Sequence, residues 1–316
     1  MGSQRNLAID RFRGSLVILM VIGDYLSGVA FVPDYFKHAP DVGFTIADTV
    51  APAFVFVIGL NYGTSFARRR TSGLGAAYRY FGLRYLAIIG IGAIIAAGAN
   101  AVGQPTDWGV LQAIGVAGLI TLLVIRFPTW ARFLVGALLL AAYQWLLDAF
   151  MLDTVLGSVH GGLFGSLSWA ALLILSTAVA DVWRRGQLRY LICIALLIGA
   201  AALSVVFVPV SKNRVSLSFI LITLALSAVV FLAIEALSRI APRRAGLLCW
   251  WGENALLLYV LHLVVLGIFV SPPISWWYVA APVWLATLQL VVILAMLSMV
   301  AWWMHLRRSR NHVKLD

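Results

Sequence analysis

The chain has 316 residues, 62% of them hydrophobic and 11% charged, with a net charge of +11 and a mean hydropathy of +0.97. A soluble domain carries about 25% charged residues, so the composition excludes a soluble fold and predicts an all-α, polytopic integral membrane protein with the lipid bilayer as its main partner. Runs this long without period-two alternation exclude a membrane β-barrel.

A bilayer core of about 30 Å needs about 20 apolar residues per helix. Ten segments qualify, roughly 14–32, 45–67, 81–99, 109–126, 130–148, 163–183, 188–208, 215–237, 247–270 and 281–304. The first is interrupted by Asp24 in "LMVIGDYLSG" and has no A-x-A exit, so it reads as a retained helix rather than a cleaved signal. The second opens on Asp48, and Pro52 within it frees a carbonyl and predicts a bend. The glycines of "GLRYLAIIGIGAIIAAG" (82–98) in the third predict close helix approach. Tryptophans such as Trp276, Trp277, Trp302 and Trp303 sit at segment ends, as an interfacial belt requires. No repeat or hydrophilic insert divides the chain, so residues 1–316 read as one transmembrane domain.

Charge placement predicts the orientation. With the N-terminus in the cytoplasm, 20 Lys and Arg fall on inner segments and three on outer ones, namely Lys37, Lys212 and Arg214. Ten helices with both termini cytoplasmic satisfy the positive-inside rule. Topology explains the basic segments, so no nucleic-acid partner is expected. Cys193 and Cys249 offer neither a disulfide framework nor a metal spacing. The sequence also lacks a zinc pattern, P-loop, nucleophile elbow and dinucleotide fingerprint, so no metal is expected.

Against this apolar background, "DYFKHAPDVGFTIAD" (34–48) gathers three aspartates, a lysine and a histidine on the outer edge. His38 is the leading candidate for chemistry, since imidazole serves as base, acid or nucleophile near neutral pH. Asp24, Asp41 and Asp48 are candidate carboxylate partners, and spacing does not choose among them. Asp48 at a helix start also fits a capping role. Asp24 and His262 are ionisable groups inside apolar segments, which marks a functional site by default. An interhelical hydrogen bond is the simpler account of His262. His160 lies among glycines in "GSVHGGLFGSLS". Lys212 and Arg214 break the charge rule and predict either an anion site or pairing with outer carboxylates. His305 and His312 read as solvated parts of the basic tail.

The order of these residues carries a resemblance. "IDRFRGSLVILMV", then "YFKHAPDVGFTIADTVAPAFVFVIG", "GLRYLAIIGIG", "GVLQAIG", "PVSKNRVSLSF" and "GENALLLYVLH" run from about residue 10 to 262. Together they resemble the catalytic core of the heparan-α-glucosaminide N-acetyltransferase family, multi-spanning enzymes of the wider transmembrane acyltransferase group. Asp10, Arg13 and Gly14 match the family's entry motif, His38 its outer-loop histidine, and Gly43, Thr45 and Asp48 the run that follows. The chain departs from the pattern at Asp24, where the family has an amide, at Ala113, where it often has arginine, and at Arg214, where it has an apolar residue.

The resemblance implies transfer of an acetyl group from cytosolic acetyl-CoA, a co-substrate, to an extracytoplasmic amino sugar or glycan. It implies His38 as the catalytic residue; beside it Asp24 and Asp48 are the candidate catalytic carboxylates, and Arg13, Arg84, Asn254 and His262 are expected on the donor side. Asp41, Gln112, His160, Lys212 and Arg214 fall to the acceptor. Asn254 or Lys212 would serve the oxyanion. The setting implied is a bacterial-type inner (plasma) membrane, with a homodimer as one oligomeric option. A transporter or flippase for a lipid-linked sugar is the rival reading, with Asp24 and His262 as proton relays, although the sequence shows no paired broken helices in matching halves. A non-catalytic membrane partner of a polysaccharide assembly complex is the third.

Overall fold

A computed structural model describes residues 6–101, 106–241 and 246–313. Arg5, Arg243, Arg244 and Lys314, counted above among the inner cations, lie outside the described residues, as do the side chains of Arg310 and His312. Among the described residues the protein is all-helical. Twelve α-helices follow in order: α1 (Leu7–Ser27), α2 (Val50–Arg70), α3 (Leu74–Ala101), α4 (Val110–Val124), α5 (Thr129–Leu146), α6 (Leu152–Leu156), α7 (Gly162–Arg184), α8 (Gln187–Phe207), α9 (Leu217–Ile240), α10 (Leu247–Glu253), α11 (Ala255–Val270) and α12 (Val283–Val313).

Among the described residues, seven helical spans are long and apolar enough to cross a membrane, and α10 with α11 makes an eighth if that pair, bent by 93°, counts as one. The protein is therefore a multi-pass membrane protein. Two predicted segments fold as helices of a different character. α4 has only 15 residues, and α1 carries Asp10, Arg11, Arg13 and Asp24 within its 21.

The chain divides into two compact units. One takes residues 1–38, 45–50 and 230–316, and the other 39–44 and 51–229. In the first unit, α1 starts on Asn6, whose Oδ1 accepts from the amides of Ala8 and Ile9 at 3.0 and 3.3 Å, satisfying donors that a helix start leaves unpaired. α1 then lies against α10 backbone to backbone. A Cβ on Gly14 would collide with the Leu248 carbonyl, and one on Gly252 with the Asp10 carbonyl. Glycine is what permits this approach. At the other end of α1, the Tyr25 hydroxyl donates to Gln289 of α12 at 2.7 Å, and the Tyr25 carbonyl accepts from the Tyr278 hydroxyl at 2.8 Å. The break between α10 and α11 falls at Asn254, whose Nδ2 donates back to the Trp250 carbonyl at 2.9 Å.

In the second unit α7 is buried along nearly its whole length, and α4, α5 and α8 pack against it. Of the glycines predicted to mark close packing in α3, only Gly92 does so: its Cβ position is taken by Gln112. Gly82, Gly90 and Gly98 face open space. Pro52 falls in the first turn of α2, where its missing N–H is one the helix start leaves unpaired and its fixed φ suits the helix.

Candidate active site

The segment before α2 builds the first cluster. A one-turn 3-10 helix at Asp34–Phe36 leads to His38, and a second at Ala47–Thr49 carries Asp48. Both residues belong to the first unit. Asp48 Oδ1 lies 2.8 Å from His38 Nδ1. Its Oδ2 accepts from the Thr45 amide at 3.1 Å and the Thr45 hydroxyl at 2.9 Å. The Thr-x-x-Asp spacing thus folds one carboxylate back onto its own turn and aims the other oxygen at the imidazole. The Asp48 side chain is fully buried, whereas that of His38 is 45% exposed. An ionised carboxylate only accepts hydrogen bonds, so in the neutral imidazole this pairing puts the proton on Nδ1 and leaves Nε2 as the nitrogen with the lone pair. Of the three carboxylates the sequence offered to His38, the structure pairs Asp48 with it.

Asp24 has a different partner. Its Oδ2 stands 2.9 Å from Nε2 of His262, across from α1 to α11 in the same unit. The His262 ring is fully buried and the Asp24 carboxylate 39% exposed. Tyr259 lies edge-on to the imidazole at 5.4 Å, and His262 Nδ1 has no hydrogen-bond partner among the described residues. The two ionisable groups that the sequence flagged separately within apolar segments are thus one pair, each offsetting the other's cost of burial.

A third cluster lies in the second unit. Arg214 grips Asp41 through Nε, at 3.0 and 3.1 Å, and through Nη2. The Ser211 hydroxyl adds a bond to the same carboxylate at 2.8 Å. The guanidinium beside it holds the Asp41 carboxyl below the usual range, and Asp41 in turn raises Arg214. Arg214 therefore meets a carboxylate, as one sequence expectation had it. Asn213 Nδ2 donates to the Pro40 carbonyl, and the Gly43 amide donates to the Val210 carbonyl at 2.8 Å. The 39–44 strap is thus tied at several points to the loop after α8. That loop turns through Val215, a β-branched residue at φ 49°, a conformation such residues rarely adopt. The Ser168 hydroxyl holds its carbonyl at 2.7 Å. His160, at φ 54°, is the other left-handed non-glycine residue among the described residues. Trp169 Nε1 donates to its carbonyl at 3.2 Å, so its backbone serves the fold. Lys212 is buried in the same loop.

The remaining candidates are dispersed. Arg13 lies 3.6 Å from Asp10 and donates to the Gly252 carbonyl at 3.4 Å, all within the first unit. Arg84 is exposed on α3 of the second unit, its guanidinium 5.9 Å from the Tyr85 ring. Gln112, expected on the acceptor side, is buried, and its Oε1 accepts the Gly109 amide at 3.0 Å. It closes the start of α4. Asn254 is the hinge of the broken helix and its Nδ2 is engaged, although its Oδ1 has no partner among the described residues. His305, predicted to be solvated, meets Glu253 at 3.2 Å. Among the described residues no three His, Cys, Asp or Glu side chains gather as a metal site would need. Sequence reading missed the holding roles of Thr45 and Ser211. Thr45 stood in the Gly43, Thr45, Asp48 run of the resemblance, but its bonds to the carboxylate were not read from it. Nothing local could have flagged Ser211, which is 170 residues from Asp41.

Residues 5–163 match the family model described as heparan-alpha-glucosaminide N-acetyltransferase, catalytic. The mouse (Mus musculus) heparan-alpha-glucosaminide N-acetyltransferase is 34% identical over 137 residues, 40% of this chain and 20% of the relative. The human (Homo sapiens) protein of the same name is 37% identical over 118 residues, 34% of this chain and 17% of the relative. The matched stretch thus spans a fifth or less of these relatives' length.

Proposed function

The chain belongs to the heparan-alpha-glucosaminide N-acetyltransferase family, and from that premise we propose that it is a membrane-embedded acetyltransferase. It would move an acetyl group from cytosolic acetyl-CoA to an extracytoplasmic acceptor, an amino sugar or glycan, in a bacterial-type inner membrane. The observation that carries the reading is the His38–Asp48 pair. A buried carboxylate holds one ring nitrogen at 2.8 Å and leaves the other on a half-exposed ring.

Two routes use that nitrogen. In the first, His38 Nε2 forms a bond to the acetyl carbonyl carbon as the carbon–sulfur bond breaks, and the thiolate leaves. The acceptor amine then attacks the same carbon, the imidazole leaves, and the amine's proton passes to it. In the second, His38 takes the amine's proton as the amine attacks the thioester carbon directly, and the carbon–sulfur bond breaks to release CoA, whose thiolate takes up the proton from His38. In both, Asp48 stabilises the positive ring that forms. Asp24, paired with buried His262, presents a half-exposed carboxylate suited to an ammonium group. Arg13 is the cation of the first unit assigned to the donor phosphates.

The test is thioester cleavage of labelled acetyl-CoA by protein purified in detergent. His38→Ala should lose about 10²–10⁴-fold in rate, the usual worth of a positioned acid–base group. Equal turnover by wild type and His38→Ala would end the proposal. Label retained on the protein without acceptor would select the first route. The transporter reading draws on one observation, the 93° break between α10 and α11, with the Asp24–His262 pair joining α11 to α1. A carrier need not bind CoA, so the same donor-binding assay separates the two.

A further inference from the structure

The connection that carries His38 is apolar on its surface. Between α1 and α2, Phe31, Tyr35 and Phe36 of the first unit are exposed, Tyr35 to 62%. Phe36 is two residues from His38, which keeps their Cα atoms within about 7 Å. The connection between α11 and α12 in the same unit exposes Ile274, Trp276 and Val279, Trp276 to 57%.

These two connections are built as one piece. The Ala30 amide donates to the Val279 carbonyl at 2.8 Å, and the Ala280 amide to the Ser275 carbonyl at 2.8 Å. Trp277 Nε1 donates to the Phe269 carbonyl at 2.7 Å, and Gln289 Nε2 to the Trp277 carbonyl at 2.9 Å. A Cβ on Gly28 would collide with the Tyr278 hydroxyl. Polar groups thus pair inside the two turns, and the apolar side chains are held outside them.

The neighbouring surface says what covers this lip. The chain runs from it into Ile268 near the end of α11 and into Val283 and Trp284 at the start of α12, all exposed. On membrane-spanning helices such exposure faces acyl chains. The lip is therefore continuous with the lipid-facing surface. Asp34 and Lys37 beside it are charged, and aromatic rings mixed with charge mark the headgroup level of a bilayer. A sugar ring can stack on Tyr35 or Trp276, but aliphatic groups such as Ile274 and Val279 offer a soluble glycan little. They offer a hydrocarbon anchor an apolar surface to bury against.

Resting on the acetyltransferase reading, we propose that the acceptor is a lipid-anchored amino sugar. Its tail stays in the leaflet on the His38 side and lies on this lip, and its amine reaches His38 by lateral diffusion. The amine nitrogen bonds to the acetyl carbon, the carbon–sulfur bond breaks, and CoA leaves as the thiol with the amine's proton.

The test compares dodecyl and methyl β-glucosaminide as acceptors for the full-length protein in phosphatidylcholine nanodiscs with labelled acetyl-CoA. Wild type should show at least a tenfold higher kcat/KM for the dodecyl glycoside. Partitioning into the bilayer raises that ratio whatever the protein does, so variants decide. Tyr35→Ser with Trp276→Ser should lower the ratio at least fivefold. Tyr35→Ser alone should lower it at least twofold, and it decides the matter if thermal melts show the double variant unfolded. A wild-type ratio near one, or a ratio unchanged in a folded variant, would overturn the proposal and leave the lip as an interfacial belt. Binding is read separately with a dodecyl glucosaminide carrying a diazirine on its chain. It should label residues 28–36 and 271–282, and excess unlabelled dodecyl glucosaminide should suppress that labelling where dodecyl maltoside does not. Equal suppression by both would overturn the lipid-anchored acceptor even if acetyl transfer occurs. Absence of all thioester cleavage would instead end the acetyltransferase reading.

Discussion

Replacing Asp48 by Asn tests the proposed chemistry at its most sensitive point. The side chain is fully buried, and its hydrogen bonds include one with the His38 ring and two from Thr45. Asparagine has the same shape, so the turn can form. The electrostatics differ in two ways. A hydrogen bond to a charged group is worth about 1.5–3 kcal/mol, and losing the carboxylate removes that stabilisation from the imidazolium formed in either route. At about 1.4 kcal/mol per tenfold, this alone predicts a 10- to 150-fold slower reaction. An amide can also donate to Nδ1, which would place the ring proton on Nε2 and remove the lone pair the reaction needs. The combined expectation is a loss of at least about 10²-fold in kcat, with acceptor KM little changed. The assay is acetyl transfer from labelled acetyl-CoA to glucosamine in detergent, with a thermal melt to confirm folding. A folded Asp48→Asn protein within twofold of wild type would refute the argument, since no charge would then be needed behind His38.

Other outcomes follow from the same geometry. Thr45→Val removes the hydroxyl that Asp48 Oδ2 accepts, so activity should fall about 3- to 10-fold, the worth of one hydrogen bond, in the same assay. Asp24→Asn keeps a hydrogen-bonding partner for His262 but removes the charge. It should raise KM for a cationic amine acceptor about tenfold and leave donor cleavage without acceptor unchanged, which steady-state and single-turnover kinetics separate. Asp41→Asn should cost less than about 1 kcal/mol in a denaturation series, because the ion pair is partly exposed. Arg214 lowers the folded-state pKa of Asp41, so its stabilisation is present above the unfolded value near 3.9 and is lost as pH falls through the depressed one. The wild-type advantage should therefore hold from about pH 5 upward and vanish in stronger acid. Gly252→Ala drives a Cβ into the Asp10 carbonyl and should destabilise by about 1–3 kcal/mol, whereas Gly90→Ala meets open space and should be neutral or slightly stabilising.

The helical plan was legible because hydropathy in lipid is a strong local signal. Every predicted apolar segment folds as helix, including α4, whose 15 residues fall below the usual spanning length. The break at Asn254 was not legible, since "GENALLLYVLH" contains no proline and reads as a continuous helix. The glycines of α3 show the limit of composition: Gly90 and Gly92 sit two residues apart in one apolar run, yet only Gly92 packs. Which face a helix presents depends on its neighbours. His38 and Asp48 could be named because ten residues separate them in one polar stretch. The Asp24–His262 and Asp41–Arg214 pairs span 238 and 173 residues, and no local pattern encodes who meets whom across such distances.

The two histidine–aspartate pairs of the first unit have opposite exposures, and this suggests a division of labour. At His38 the carboxylate is buried and the imidazole reaches outward; at His262 the imidazole is buried and the carboxylate reaches outward. A buried carboxylate behind an exposed ring strengthens a neutral nucleophile or base. A buried ring behind an exposed carboxylate instead presents fixed negative charge, which attracts a cation and does not attack a carbonyl. Swapping these roles would put a carboxylate where the acyl group must be received and leave the ammonium facing an imidazole. On the proposed function, His38 would be the group that meets the acetyl carbon and Asp24 the group that meets the amine. On the same proposal, the part-exposed carboxylate of Asp24 would favour acceptors that arrive positively charged.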